Sequence, residues 1–191
     1  NNQMDDFSAQ AGAANAFGLV GDKANEVAAG KRPLSSMSPL IAVGQDGTIL
    51  CAGGSGGPTI VTGTVQAVVN VIDFHMDARA AVSAPRIHAQ FIPDRVIIEP
   101  GIPLDVQEAL KKRGHTLMVR PEPMGTAIQL VVQRRAATED EGVRGPKGPK
   151  DAKAPGPKDA KAQEPAAPVT AGVVVTTAAS DPRKGGEPAA P

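Results

Sequence analysis

Apolar positions along the chain recur with two different periods, separated by stretches with none. Residues 1–38 hold no sustained period and are dominated by Asn, Asp, Gly, Ala and Ser, so they read as loop. PLIAV (39–43), GQDG (44–47) and TILCA (48–52) read as strand, turn and strand, with the Asp-Gly pair favouring a tight hairpin. After a glycine-rich stretch, Val61, Val65, Val68 and Ile72 recur on one helical face, and Pro58 suits a first helical turn. Asp77 is placed to cap a short helix, ARAAVSA, that stops before Pro85. RIHAQF (86–91) and RVIIE (95–99) are strand-like and joined by a Pro-Asp turn. PLDVQEALKKRG (103–114) predicts a helix with Leu104, Val106 and Leu110 inward and Gly114 ending it. HTLMV (115–119), TAIQLVVQ (126–133) and AGVVVTTA (171–178) predict three more strands. Strands, then helices, then strands imply an α+β or layered α/β protein rather than a strict βαβ repeat.

Residues 136–168 have a different composition: Pro, Gly, Ala, Lys, Asp and Glu, with GPKDAKA occurring at 148–154 and again at 156–162. Glycine is not held at every third position, which excludes a collagen helix. With so few apolar side chains the segment is expected to be disordered and partly polyproline-like. The expected divisions are a core at 1–135, this insertion at 136–168, a final core strand and C-terminal motif at 169–185, and a tail at 186–191.

Composition narrows the function classes. The chain has 191 residues, 41% hydrophobic, enough for one core. Four Phe with no Trp or Tyr leave the core to aliphatic residues and offer no base-stacking platform. Zero net charge points to neither nucleic acid nor an anionic membrane surface. The single Cys51 forms no internal disulfide and reads as a small buried hydrophobe. No Cys/His cluster has metal-ligand spacing and no apolar run is long enough for a membrane-spanning helix, so neither a metal, another cofactor nor a membrane span is expected.

The stretch CAGGSGGPTI (51–60) contains G-x-S-x-G, the pattern of a serine nucleophile elbow centred on Ser55. It follows a strand and opens a helix, and Asp73 or Asp94 with His115 would complete a triad on paper. That architecture requires a parallel sheet, whereas a hairpin precedes the motif here and antiparallel signals follow it. A phosphate-loop reading fails for want of the following Lys-Ser/Thr. His75, His88 and His115 read singly as core or surface residues.

Two further stretches carry chemistry. KRPLSSMSP (31–39) holds paired hydroxyls, Ser35 and Ser36, able to donate to one carboxylate; the alternative is a turn with solvated serines. NNQMDDF (1–7) crowds amides and carboxylates that can hold an ammonium group; the alternative is a polar loop. Taken in order with the strand–Gly-Gly–helix junction, and with NVIDF (70–74), AVSAPRIHAQFIPD (81–94) and ASDPR (179–183), they resemble the C-terminal small subunit of the γ-glutamyltransferase family. The likeness covers about 1–133 and 171–184.

The resemblance implies an N-terminal-nucleophile hydrolase with an αββα sandwich, of which this chain would form part. It implies that Gln3 and Asp6 hold the α-amino group of a γ-glutamyl moiety, with Asn2 and Asp5 as supports. Ser35 and Ser36 would bind the α-carboxylate, and the Gly56 and Gly57 N–H groups would form the oxyanion hole. It further implies acyl transfer or hydrolysis of glutathione-like compounds through a γ-glutamyl-enzyme, a large subunit from the same precursor, and a periplasmic or extracellular location. The family's nucleophile is a Thr that begins the small subunit, and none precedes Asn1, so the chain is expected to be a fragment, a truncated product or part of a split enzyme. A non-catalytic remnant or binding protein that keeps a glutamate pocket is the alternative. Gly54 and Pro58 stand where the family carries hydroxyl residues, which predicts weaker support of the glycine loop.

Overall fold

The computed structural model describes residues 3–135 and 174–184. Residue Asn2, the 136–168 insertion and the 186–191 tail lie outside them.

Strands β1 (Leu40–Val43), β2 (Ile49–Ser55), β6 (Ala127–Arg135) and β7 (Val174–Ser180) form one antiparallel sheet in the order β1-β2-β6-β7. The β1–β2 hairpin turns through Gly44–Thr48, where Asp46 accepts from the Thr48 N–H and hydroxyl. β3 (Ile87–His88), β4 (Val96–Ile98) and β5 (Leu117–Val119) form a second sheet, antiparallel between β3 and β4 and parallel between β4 and β5. Helix α1 (Thr59–Ile72) follows β2 directly, and α2 (Ala78–Ser83) starts at Asp77, whose carboxylate accepts from the Ala80 N–H. Helix α3 (Leu104–Lys112) lies between β4 and β5.

The core is the interface between α1, α2 and one face of the four-stranded sheet: Leu50, Ala52, Ala67, Val71, Ala81, Val82, Ile128, Leu130, Val132 and Ala179. The period-2 alternation of β2 and β6 sends Leu50, Ala52, Ile128, Leu130 and Val132 to this side. The opposite face carries Ile41, Val43 and Val131 and is open. One helix layer on one sheet layer is thus the part of the sandwich that these residues build.

Two faces differ from the sequence expectation. In α1 the buried positions are Ile60, Gly63, Thr64, Ala67 and Val71, while Val61, Val65 and Ile72 of the expected face are exposed. Small residues decide this. A Cβ on Gly63 would lie 3.2 Å from Ile128 Cδ1, so the helix rides close to the sheet on its Gly/Thr/Ala side. In α3, Leu104 and Val106 point outward and only Leu110 is half-buried, because α3 packs on little besides β5. Cys51 is half-buried rather than buried, since its side of β2 is the open one.

Candidate active site

The segment before β1 is held by side-chain amides rather than by regular structure. Met4–Asp6 forms one 3-10 turn. The Asn25 amide donates to the Asp6 carbonyl at 2.7 Å and its Oδ1 accepts from the Leu34 N–H at 3.0 Å. The Asn25 carbonyl accepts from the Ser8 N–H at 2.9 Å. Asn25 therefore staples the acidic turn to the residue before Ser35. Asn15 donates to the Asp5 carbonyl and accepts from the Phe17 and Leu19 N–H groups, closing a second loop beside it.

Between these staples lies a cavity of about 240 Å³ whose lining includes Asp6, Ser8, Asn15, Asn25, Ser35 and Ser36. A carboxylate and the serine pair, distant in sequence, thus face one space. Asp6 and Ser36 are half-buried, while Gln3, Asp5 and Ser35 are exposed. Gln3 and Asp5 flank the lined turn without lining the cavity, and Asn2 lies outside the described residues. Ser35 Oγ accepts from the Met37 N–H at 3.1 Å, a local turn that shapes the serine loop. Asn15 and Asn25 were missed in the sequence; nothing in their spacing marks either as a staple.

The glycine pair sits next door. β2 runs through Gly53 and Gly54 to Ser55, and the chain then enters α1 through Gly56 (φ 139°) and Gly57 (φ 67°). These φ values exclude ordinary side chains and turn the backbone sharply at the helix N-terminus. A Cβ on Gly56 would lie 2.8 Å from Thr126 Cα, and one on Gly57 would lie 2.6 Å from the Phe17 ring. Phe17 belongs to the loop between Asn15 and Leu19, both of which line the cavity, so glycine pair and cavity share a wall. The Gly56 carbonyl accepts from the Thr59 hydroxyl at 2.7 Å, and Thr59 is hydrogen-bonded in turn to Thr126. Two hydroxyls, those of Thr59 and Thr126, are thus set against the glycine turn.

The serine-elbow alternative does not fit this frame. β2 is antiparallel to both β1 and β6, and Ser55 ends it as an exposed residue. His88 is buried with Nδ1 bonded to the Thr62 hydroxyl and Nε2 to the Gln90 amide oxygen, each at 2.8 Å. A second cavity of about 240 Å³ lies at the other end of β2, lined by Ala42, Asp46, Thr48, Val71, His75 and Arg134. It lies away from the glycine pair, and its Thr48 hydroxyl is donated to Asp46 within the β1–β2 turn. No group of His, Cys, Asp or Glu suited to a metal ion occurs among the described residues.

A buried ionic cluster underlies the glycine turn. Arg86 Nη2 lies 2.6 Å from Asp181 Oδ2, and Arg183 pairs with both Glu99 and Asp181 at 2.5 and 3.0 Å. Arg86 Nη1 donates to the Thr126 carbonyl, Glu99 accepts from the Arg86 and Met124 N–H groups, and Asp181 accepts from the Ile128 N–H. Burial lowers the Arg86 pKa and Asp181 only partly offsets this. Burial alone would raise Asp181, but the Arg183 N–H, the Arg86 guanidinium and the Ile128 N–H hold it below the ordinary value. For Arg183, burial is outweighed by Glu99 and Asp181, and its pKa rises.

Fold and site together define an α+β protein in which an acid-and-hydroxyl pocket adjoins a strand–Gly-Gly–helix junction. The chain belongs to the gamma-glutamyltranspeptidase family, whose model matches residues 1–155. It is 45% identical over 132 residues to the glutathione hydrolase proenzyme of Escherichia coli, covering 69% of this chain and 23% of that protein. To the glutathione hydrolase proenzyme of Pseudomonas aeruginosa it is 43% identical over 149 residues, covering 76% of this chain and 27% of that protein. A crystallised variant of the Helicobacter pylori gamma-glutamyltranspeptidase superposes with a TM-score of 0.70 and 36% identity, covering 96% of this chain and 80% of that chain. The chain therefore spans about a quarter of the length of the two proenzymes.

Proposed function

We propose that this chain is the substrate-binding and oxyanion-hole part of a gamma-glutamyltransferase that transfers or hydrolyses the γ-glutamyl group of glutathione-like compounds. The observation that carries the reading is the convergence of Asp6, Ser35 and Ser36 on one cavity beside the Gly56–Gly57 turn. Asp6, with Gln3, takes the substrate ammonium, and Asn2 and Asp5 support that end. Ser35 and Ser36 donate to the α-carboxylate. A charged acceptor makes each such hydrogen bond stronger than a neutral one.

The γ-carbonyl then lies toward the glycine turn. A threonine hydroxyl from outside this chain attacks it, and the oxygen becomes an oxyanion held by the Gly56 and Gly57 N–H groups at the positive end of α1. Collapse expels the amine, which carries the proton lost by the hydroxyl, and leaves a γ-glutamyl ester. Water or an acceptor amine resolves it. The large subunit of the same precursor is the expected partner, and a periplasmic or extracellular site of action follows from the family. No described helix is long and apolar enough to cross a membrane. The test is turnover of a γ-glutamyl-anilide by the complete polypeptide, together with glutamate calorimetry. Turnover with saturable glutamate inhibition is expected. Glutamate binding without turnover would overturn the catalytic reading in favour of a binding protein, and absence of both would remove the pocket as well.

A further inference from the structure

The Gly56 carbonyl and the Gly57 N–H are the two ends of one planar amide. That carbonyl accepts the Thr59 hydroxyl at 2.7 Å. A carbonyl only accepts, so the single Thr59 proton is committed there, and the Thr59–Thr126 bond takes its proton from Thr126. Thr126 is itself fixed: it is 2% exposed, and its carbonyl receives Arg86 Nη1 at 3.1 Å. Arg86 thus anchors the Thr126 backbone, and the relay itself runs from the Thr126 hydroxyl through the Thr59 hydroxyl into the Gly56 carbonyl.

We propose that Thr59 and Thr126 are positioning residues that orient and polarise the Gly56–Gly57 peptide, making the Gly57 N–H a stronger and better-aimed donor. Donation to the carbonyl end of an amide draws electron density from its N–H end, and successive hydrogen bonds reinforce one another. The Gly57 backbone sits in the left-handed region at φ 67°, where glycine alone offers little resistance to rotation, so the plane of the peptide has to be held from outside. Thr59 holds it from within the first turn of α1, and Thr126 locks Thr59 from the residue just before β6. Neither residue touches substrate. The inference rests on the oxyanion-hole reading of Gly56–Gly57, but its central element is the state of one amide, which is measurable without turnover.

The experiment uses the complete polypeptide labelled with 15N-glycine, as wild type, Thr59→Val, Thr59→Ser and Thr126→Val. The Gly57 amide proton should move upfield in Thr59→Val, less in Thr126→Val, and return in Thr59→Ser. With a γ-glutamyl-anilide, kcat should fall about 3- to 10-fold in Thr59→Val, the loss of one neutral hydrogen bond, with KM little changed and kcat restored by Thr59→Ser. A Gly57 resonance unmoved in both Val variants overturns the proposal, as does a kcat loss that Thr59→Ser fails to restore. If the wild-type polypeptide turns over nothing, the proposed function fails while the Gly57 resonance still decides this relay. If Thr59→Val does not fold, Thr126→Val decides it by the same resonance.

Discussion

Arg86 and Asp181 meet at 2.6 Å although ninety-five positions separate them, and both side chains are buried. The contact ties the start of β3 to the end of β7, and through the Ile128 N–H and the Thr126 carbonyl it also fixes the start of β6. Asp181→Asn removes a charge and leaves Arg86 buried opposite a neutral amide. Breaking a buried pair from one side costs roughly 3–5 kcal/mol. Chemical denaturation of the complete polypeptide should show a loss of that order, and a change below about 1 kcal/mol would mean that the cluster is not holding the fold.

The same carboxylate sets a pH dependence. Its folded pKa lies below the ordinary 3.8, so the unfolded chain takes up the proton first as pH falls. Its stabilisation is complete above that ordinary value and is lost as pH drops through the depressed one. Stability followed from about pH 6 to pH 2 should fall less steeply in Asp181→Asn than in wild type. Some acid sensitivity should remain, because Asp46 is also held low by the Thr48 N–H and hydroxyl. Parallel wild-type and variant profiles would refute the assignment.

The glycine turn predicts an order of severity. Gly56→Ala drives a Cβ to 2.8 Å from the Thr126 Cα, which is backbone and cannot step aside. Gly57→Ala meets the Phe17 ring, which is half-exposed and able to rotate away; both variants also carry the cost of an alanine at positive φ, on the order of 1–3 kcal/mol. Loss of one oxyanion donor lowers kcat by about 10²–10³-fold. Gly56→Ala should reach that range and Gly57→Ala should fall short of it, while glutamate affinity stays near wild type in both. Equal losses in turnover and glutamate binding would place the glycines in a structural role only.

Ser36→Ala should weaken glutamate binding about 10- to 100-fold, the range for a hydrogen bond to a charged group, without altering the melting temperature. Asn25→Ala tests the staple. It unties Asp6 from Leu34 and trims Asn25's own part of the lining, so affinity should fall while the acidic and serine groups all remain. Calorimetry with glutamate reads both, and an unchanged affinity in Ser36→Ala would exclude that hydroxyl from the site.

How much of this was legible in the sequence depends on the range of the forces involved. The β1–β2 hairpin, the Asp77 cap and the Gly114 helix end are local, set by residues a few positions apart, and each is found where the pattern puts it. The buried face of α1 was not legible, because close packing through Gly63 and Ala67 outweighs the hydrophobic repeat of Val61, Val65 and Ile72. The Arg86–Glu99–Asp181–Arg183 cluster was equally hidden, since charged residues read as surface until long-range pairing buries them. Asn15 and Asn25 do their work through backbone groups of other segments, which no spacing rule records.

The β6–β7 connection gives the last prediction. The register pairs Arg135 with Val174, so the strands are adjacent and antiparallel at the point where the 136–173 segment departs and returns. Geometry there requires only a hairpin turn. The composition of 136–168 predicts a chain without packing of its own, and closing such a loop costs about 0.6 kcal/mol for each doubling of its length. Replacing 136–173 with a four-residue, glycine-containing turn shortens the loop by roughly three doublings and should stabilise the fold by about 2 kcal/mol, with γ-glutamyl turnover unchanged. Denaturation and turnover of the shortened polypeptide measure both. A loss of stability would show that the replaced segment packs on the sheet or helices, and a loss of turnover at unchanged stability would show that it reaches the site.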